Sequence, residues 1–170
     1  MSLSFDWAAF IDAMTRLLGA FALALPIGWE RQREARTAGL RTFPLVAAAS
    51  SAYVLVGTSL GGTNVDAQSR LIQGLMTGIG FVGGGAILKS RLRVHGTATA
   101  AGIWMTGALG AAAGYGRWEI AVAVCVLTFG ALHGLTLLER HITPERPEET
   151  ERRPARRGST RRIRRGEEPP

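Results

Sequence analysis

The residues equipped to do chemistry fall into three groups. Asp12 and Arg16 stand four apart, so on a helix they share a face and can pair. Both lie in an apolar run, where a charge is costly and is a functional candidate by default. The plainer reading puts Asp12 among the outer lipid headgroups with Arg16 snorkelling beside it. His133 sits about a turn from the end of the last apolar run. It reads as a satisfied interfacial histidine, with proton carrier or ligand as the alternative. The third group is Gly28-Trp29-Glu30-Arg31-Gln32-Arg33 with Gly39-Leu40-Arg41-Thr42. Glu30 closes one apolar run and Arg41-Thr42 opens the next, so a hairpin would bring them close. Glu30 then accepts from Arg41, or offers oxygen ligands to a divalent cation, or takes part only in salt bridges that anchor the loop. Arg31, Arg33 and Arg36 read as positive anchors on the cytoplasmic side.

Other motifs fail on their context. Gly78-Ile79-Gly80-Phe81-Val82-Gly83 fits the dinucleotide pattern G-x-G-x-x-G, but it lies inside an apolar span with no acid near Ile103 or Trp104. Lys89-Ser90 cannot end a phosphate loop, because Leu88 stands where Gly is needed. Gly83-Gly84-Gly85 reads as tight packing, with a helix break exposing carbonyls to an ion as the alternative. Cys125 is a lone cysteine in an apolar run, so it reads as a small packing residue. No nucleophile–base pair or metal cluster stands out. The expectation is a protein that is not an enzyme and uses no cofactor.

The elements that must position these residues are apolar spans. A bilayer core takes about 20 mainly apolar residues per helix. Residues 44–60, 71–88, 97–114 and 118–138 meet this comfortably, and 7–29 is a fifth, less clean span. The fold class expected is therefore all-α, a polytopic membrane bundle of about five helices. Ala22-Leu23-Ala24 resembles a signal cleavage site, but a signal peptide carries its positive charge before the apolar run. Here Asp6 and Asp12 precede the run, and Arg31, Arg33, Arg36 and Arg41 follow it. Basic residues then alternate: an arginine-rich first loop, a poor second, Lys89, Arg91 and Arg93 in the third, a poor fourth, and a basic tail. Five spans with the N-terminus outside and the C-terminus inside require that alternation. Trp7, Trp29 and Trp118 fall near span ends, where Trp is favoured, and Trp104 falls well inside its run.

Small residues recur four apart in every span, as in Ala20/Ala24/Gly28, Gly57/Gly61, Gly74/Gly78, Gly80/Gly84, Gly110/Gly114 and Gly130/Gly134. Lipid offers little hydrophobic drive between helices, so close backbone approach does the packing. A compact bundle is expected, and a homo-oligomer is one outcome of such surfaces. Residues 1–142 form the membrane domain in this reading, and 143–170 a disordered Arg/Glu/Pro tail. The chain of 170 residues has a formal charge of +7, which in a soluble protein would suggest nucleic acid. Here the basic residues sit in blocks between or after spans, Glu interleaves with Arg in the tail, and no aromatic there offers stacking. The mean hydropathy of +0.13 averages two populations, an apolar body and a charged tail. The partner implied is the lipid bilayer, with no nucleic acid.

Several separated blocks carry a resemblance. They are Gly-Trp-Glu-Arg-Gln-Arg at 28–33, Gly-Leu-Arg-Thr at 39–42, Gly78 through Ile87, Val94-His95-Gly96, and Thr99-Ala100-Ala101-Gly102-Ile103-Trp104. In order and extent the set resembles the MgtC/SapB family of bacterial inner-membrane proteins. The resemblance implies a role in magnesium or energy homeostasis. It also implies a regulator that contacts another membrane complex, such as the ATP synthase, rather than a magnesium pump. A small oligomeric ion transporter or channel is the alternative. With a basic tail where longer members carry an ACT-like domain, the chain looks like the shorter SapB-type branch, and Ala98 stands where the family usually has Asn or Thr. The functional candidates on this reading are Glu30, Arg31, Arg33, Arg41, Thr42, Gly80, Gly84, Thr99 and Trp104.

Overall fold

The computed structural model describes residues 5–34, 38–62, 64–89 and 94–142. The basic tail expected at 143–170 lies outside the described residues, as does Arg36. Each helix starts or stops for a local reason. Asp6 accepts from the backbone N–H groups of Ala8 and Ala9 at 2.9 and 3.0 Å, capping α1 (Trp7–Glu34). The α2 helix (Thr42–Gly61) ends at Gly62, whose φ of 55° turns the chain out while its N–H closes on Thr58 O. Asn64 then caps α3 (Val65–Gly85), accepting from Asp66 and Ala67. That cap draws the polar stretch from Val65 to Arg70 into the helix, so α3 begins six residues before the apolar run does. A two-rung antiparallel pair, β1 (Leu88–Lys89) with β2 (Val94–His95), leads into α4 (Thr97–Gly114). Gly116, at φ +73°, makes the last turn before α5 (Trp118–Ile142).

The helices run up and down in sequence, and their neighbours fix the order. The α4 helix packs on all four others, with α3, α2, α1 and α5 around it in that order. A Cβ on Gly110 would overlap the Ala47 backbone, and one on Gly102 would press on Phe43. Hence α2 and α4 run parallel in direct backbone contact. Trp118 packs beside Gly19 and the Cys125 thiol reaches Leu23 O at 3.1 Å, so α1 and α5 run parallel. Leu71 fills the space beside Gly57 and Ile79 that beside Gly107, so α3 is antiparallel to both α2 and α4.

Much of the interior is small side chains, packed around Ile27, Phe43, Ile103 and Leu109. Ala20, Ala24, Ala47, Ala113 and Ala121 are buried, together with Ser50, Ser51, Thr99, Thr106 and Thr128. Large apolar side chains point outward, among them Trp7, Leu18, Leu45, Val56, Phe81 and Leu127. The hydroxyls of Ser50, Thr106 and Thr128 bond back to carbonyls four residues earlier, so they leave few polar demands inside.

Two expectations change. Among the described residues only α1 and α2 are both long and apolar enough to cross a bilayer by length and composition. The run 7–29, the least clean by eye, passes, while the runs in α3 and α4 do not. The reason is compositional: six of the 21 residues of α3 are Gly, and 14 of the 18 in α4 are Ala, Gly or Thr. Residues chosen for close approach carry little hydropathy. The expected glycine packing also divides. Gly28, Gly57, Gly83, Gly102, Gly107, Gly110 and Gly114 meet neighbouring helices or loops. Gly74, Gly78, Gly80, Gly84, Gly130 and Gly134 face open space.

Candidate functional site

The sequence blocks singled out above converge on one end of the bundle. There α1, α3 and α5 finish and α2 and α4 begin. Gly28 lets the α2 connection lie on α1: a Cβ there would meet Leu40 Cα at 3.2 Å and Gly39 O at 3.3 Å. Gly39 in turn lies against Gln32, and its carbonyl accepts from the N–H of Thr42 at 2.9 Å and of Phe43 at 3.2 Å. The segment Gly-x-x-x-Gln on α1 and Gly-Leu-Arg-Thr after it is thus one closed corner, clamped from inside by the fully buried Phe43.

Glu30 sits in this corner with 6% exposure. Its partner is not Arg41 but His133 on α5, whose Nδ1 lies 2.9 Å from Glu30 Oε1. A carboxylate oxygen accepts here, so in this contact Nδ1–H donates to Oε1. The imidazole stacks on Phe129 one turn earlier, with ring centroids 5.7 Å apart and planes within 3°. Parallel α1 and α5 bring the two residues to the same depth although 103 positions separate them. Beside them Arg31 is buried and donates to Glu34 Oε2 at 3.0 Å. Its Nε is buried with no hydrogen-bond partner. Arg33 and Arg41 are exposed, and Thr42 is half-buried at the first turn of α2.

The other candidates divide by position. Thr99 is buried in the first turn of α4, at the same end. The turn before it depends on Gly96, which has φ +89° and a Cβ position that would overlap Ala86 O. At Gly83, by contrast with its neighbours, a Cβ would meet Ala100 O at 3.3 Å. Gly80 and Gly84 lie on the outer side of α3, and Ala98 and Trp104 are exposed on α4. None of these four contributes to the Glu30–His133 corner.

At the opposite end Arg16 does two jobs. Its Nε pairs with Asp12 at 3.0 Å and its guanidinium donates to Gly114 O at 2.9 Å, at the last residue of α4. The pair forms, and the guanidinium turns inward onto a helix C-terminus, where a cation is favoured, rather than snorkelling outward. Sequence reasoning missed this contact and the one between Cys125 and Leu23, since the first needs α1 antiparallel beside α4 and the second needs α1 parallel beside α5. Among the described residues no three His, Cys, Asp or Glu side chains come together. Glu30 and His133 therefore supply two donors where a hard cation takes six or more oxygens.

A family model described as the MgtC family matches residues 17–141. The chain is 41% identical over 147 residues to the protein SrpB of Synechococcus elongatus, covering 79% of each. It is 36% identical to the MgtC protein of Salmonella typhimurium over 65% of this chain and 47% of that one. The figures for MgtC of Brucella abortus are 37%, 65% and 45%. The chain thus spans about half the length of the MgtC proteins it matches. No solved structure matches it.

Proposed function

The chain belongs to the MgtC family, and from that premise we propose that it is a multi-pass protein of the bacterial inner membrane, acting in magnesium homeostasis as a non-enzymatic regulator. The observation that carries the membrane reading is the apolar outer surface: Trp7, Leu18, Leu45, Val56, Phe81 and Leu127 face outward, while much of the interior is Ala, Gly, Ser and Thr. In water that arrangement would leave the larger hydrophobic side chains unburied, whereas in lipid it favours both surfaces. The five helices cross in turn, with N-terminus outside and C-terminus inside, as the alternation of basic loops requires. The corner around Glu30 then lies on the cytoplasmic side.

Regulation by helix contact fits better than transport because of where the charges go. Asp12 and Arg16 tie α1 to the end of α4, and Glu30 on α1 takes His133 on α5. These charges brace helices against each other rather than line a path. The open glycines Gly80, Gly84, Gly130 and Gly134 are the surfaces for a partner helix, in a membrane complex such as the ATP synthase.

The test is growth of a deletion strain in magnesium-limited medium, complemented by wild type, Glu30→Ala, His133→Ala or Gly84→Leu. Rescue by wild type with failure of Gly84→Leu, at equal protein in the membrane, is expected. Absence of any growth defect in the deletion strain would remove the magnesium role. Ion flux through the protein reconstituted alone in liposomes would replace the regulator with a transporter.

A further inference from the structure

Between α2 and α3 runs an apolar groove of about 500 Å³. It rests on the membrane reading above but lies away from the Glu30 corner. Missing side chains make it: Gly74 and Gly78 form its α3 wall, and a Cβ at either would meet nothing within 4 Å. Val46 and Val82 close it toward the Glu30 end, and Tyr53 and Arg70 stand at the other. Ser50, in the wall, spends its hydroxyl on Val46 O at 2.8 Å, so it asks nothing of an occupant. Arg70 is exposed, and among the described residues it has no carboxylate partner.

Two magnitudes identify the occupant. From Arg70 to Val82 the groove follows 12 residues of α3, or roughly 18 Å at about 1.5 Å each. Half of a hydrocarbon core of about 30 Å is about 15 Å. The groove is therefore about one leaflet long on its α3 wall and apolar apart from a single exposed cation at its outer end, with Tyr53 facing it from α2. A partner helix would need no cation at one end only. We infer that this groove holds one acyl chain of an outer-leaflet phospholipid, with the phosphodiester of its headgroup on Arg70. Guanidinium is the donor best matched to phosphate oxygens.

The experiment is a titration of the full-length chain, purified in a neutral detergent, with phosphatidylglycerol, read by native mass spectrometry. One tightly held lipid per chain is expected. Arg70→Gln should weaken it about tenfold, the order of one charge-assisted contact. Gly78→Leu should abolish it by filling the groove, while helical circular dichroism is unchanged. Gly130→Leu, on an open face of α5, should bind as wild type does. Equal lipid retention by Arg70→Gln and Gly78→Leu would overturn the inference. So would glycerol phosphate competing as well as the whole lipid, or a second copy of the chain appearing in place of the lipid. Carbonate extraction of cell membranes separates the two readings. Release of the chain into the soluble fraction sinks the membrane reading itself, whereas a retained chain with lipid-insensitive variants sinks only the groove.

Discussion

Glu30 is the buried carboxylate among the described residues, and its worth depends on His133. Removing the imidazole leaves an acceptor in an apolar corner without its donor. His133→Ala should therefore lower stability by about 1–3 kcal/mol, the usual penalty for an orphaned buried polar group. Glu30→Ala with His133→Ala should cost less than the sum of the two, because the second change removes nothing further from the pair. Thermal unfolding in detergent reads this, and additive losses would mean that the two residues do not act together. Gly96 has a different kind of necessity. Its left-handed φ alone costs a residue with a Cβ about 1–2 kcal/mol, and the overlap with Ala86 O adds to that. Gly96→Ala should lower the melting temperature more than Gly62→Ala, which has open space around it.

Between elements, glycine means two things, and a paired substitution separates them. Gly110 lies on the Ala47 backbone, so Gly110→Ala should force α4 off α2 and destabilise the bundle. Gly84 faces open space within α3, where Ala is the better helix former by about 1 kcal/mol. Gly84→Ala should melt no lower than wild type. Comparable losses from both would mean that α3 packs differently from the arrangement described. Both glycines sit in four-residue repeats of identical appearance, so no inspection of the repeat distinguishes them. The helices themselves were legible: residues 97–114 correspond to α4 without adjustment, and 118–138 falls within α5. The start of α3 was not, because the Asn64 cap acts on polar residues that carry no apolar signal.

For the molecule as a whole, the proposed orientation makes the two ends inequivalent. Alkaline phosphatase fused after Gly62 or Gly116 should be active, since both turns fall outside. Fusion after Ile142 should be inactive, and a green fluorescent protein placed there should fluoresce. Activity at Ile142 would remove one crossing, and α1 would be the first suspect because of Asp12 and Arg16. Those two residues also tie the first helix to the last residue of α4, so the ends of the bundle are braced by different chemistry. One uses a guanidinium on a helix terminus, the other an imidazole on a carboxylate.

The order of amino acids by itself determined how many helices there are, nearly where each begins and ends, and which family they belong to. Those properties follow from local hydropathy, from caps a few residues long, and from motif blocks that stay in register along the chain. Which charges meet was decided only in three dimensions. Glu30 had Arg41 as its nearby candidate partner in sequence and found His133, because parallel α1 and α5 place the last turn of α1 beside the second half of α5. Which glycines are buried was decided the same way. A missing side chain has no preference of its own, and only the position of the neighbouring helix makes it a contact, a groove or an open face.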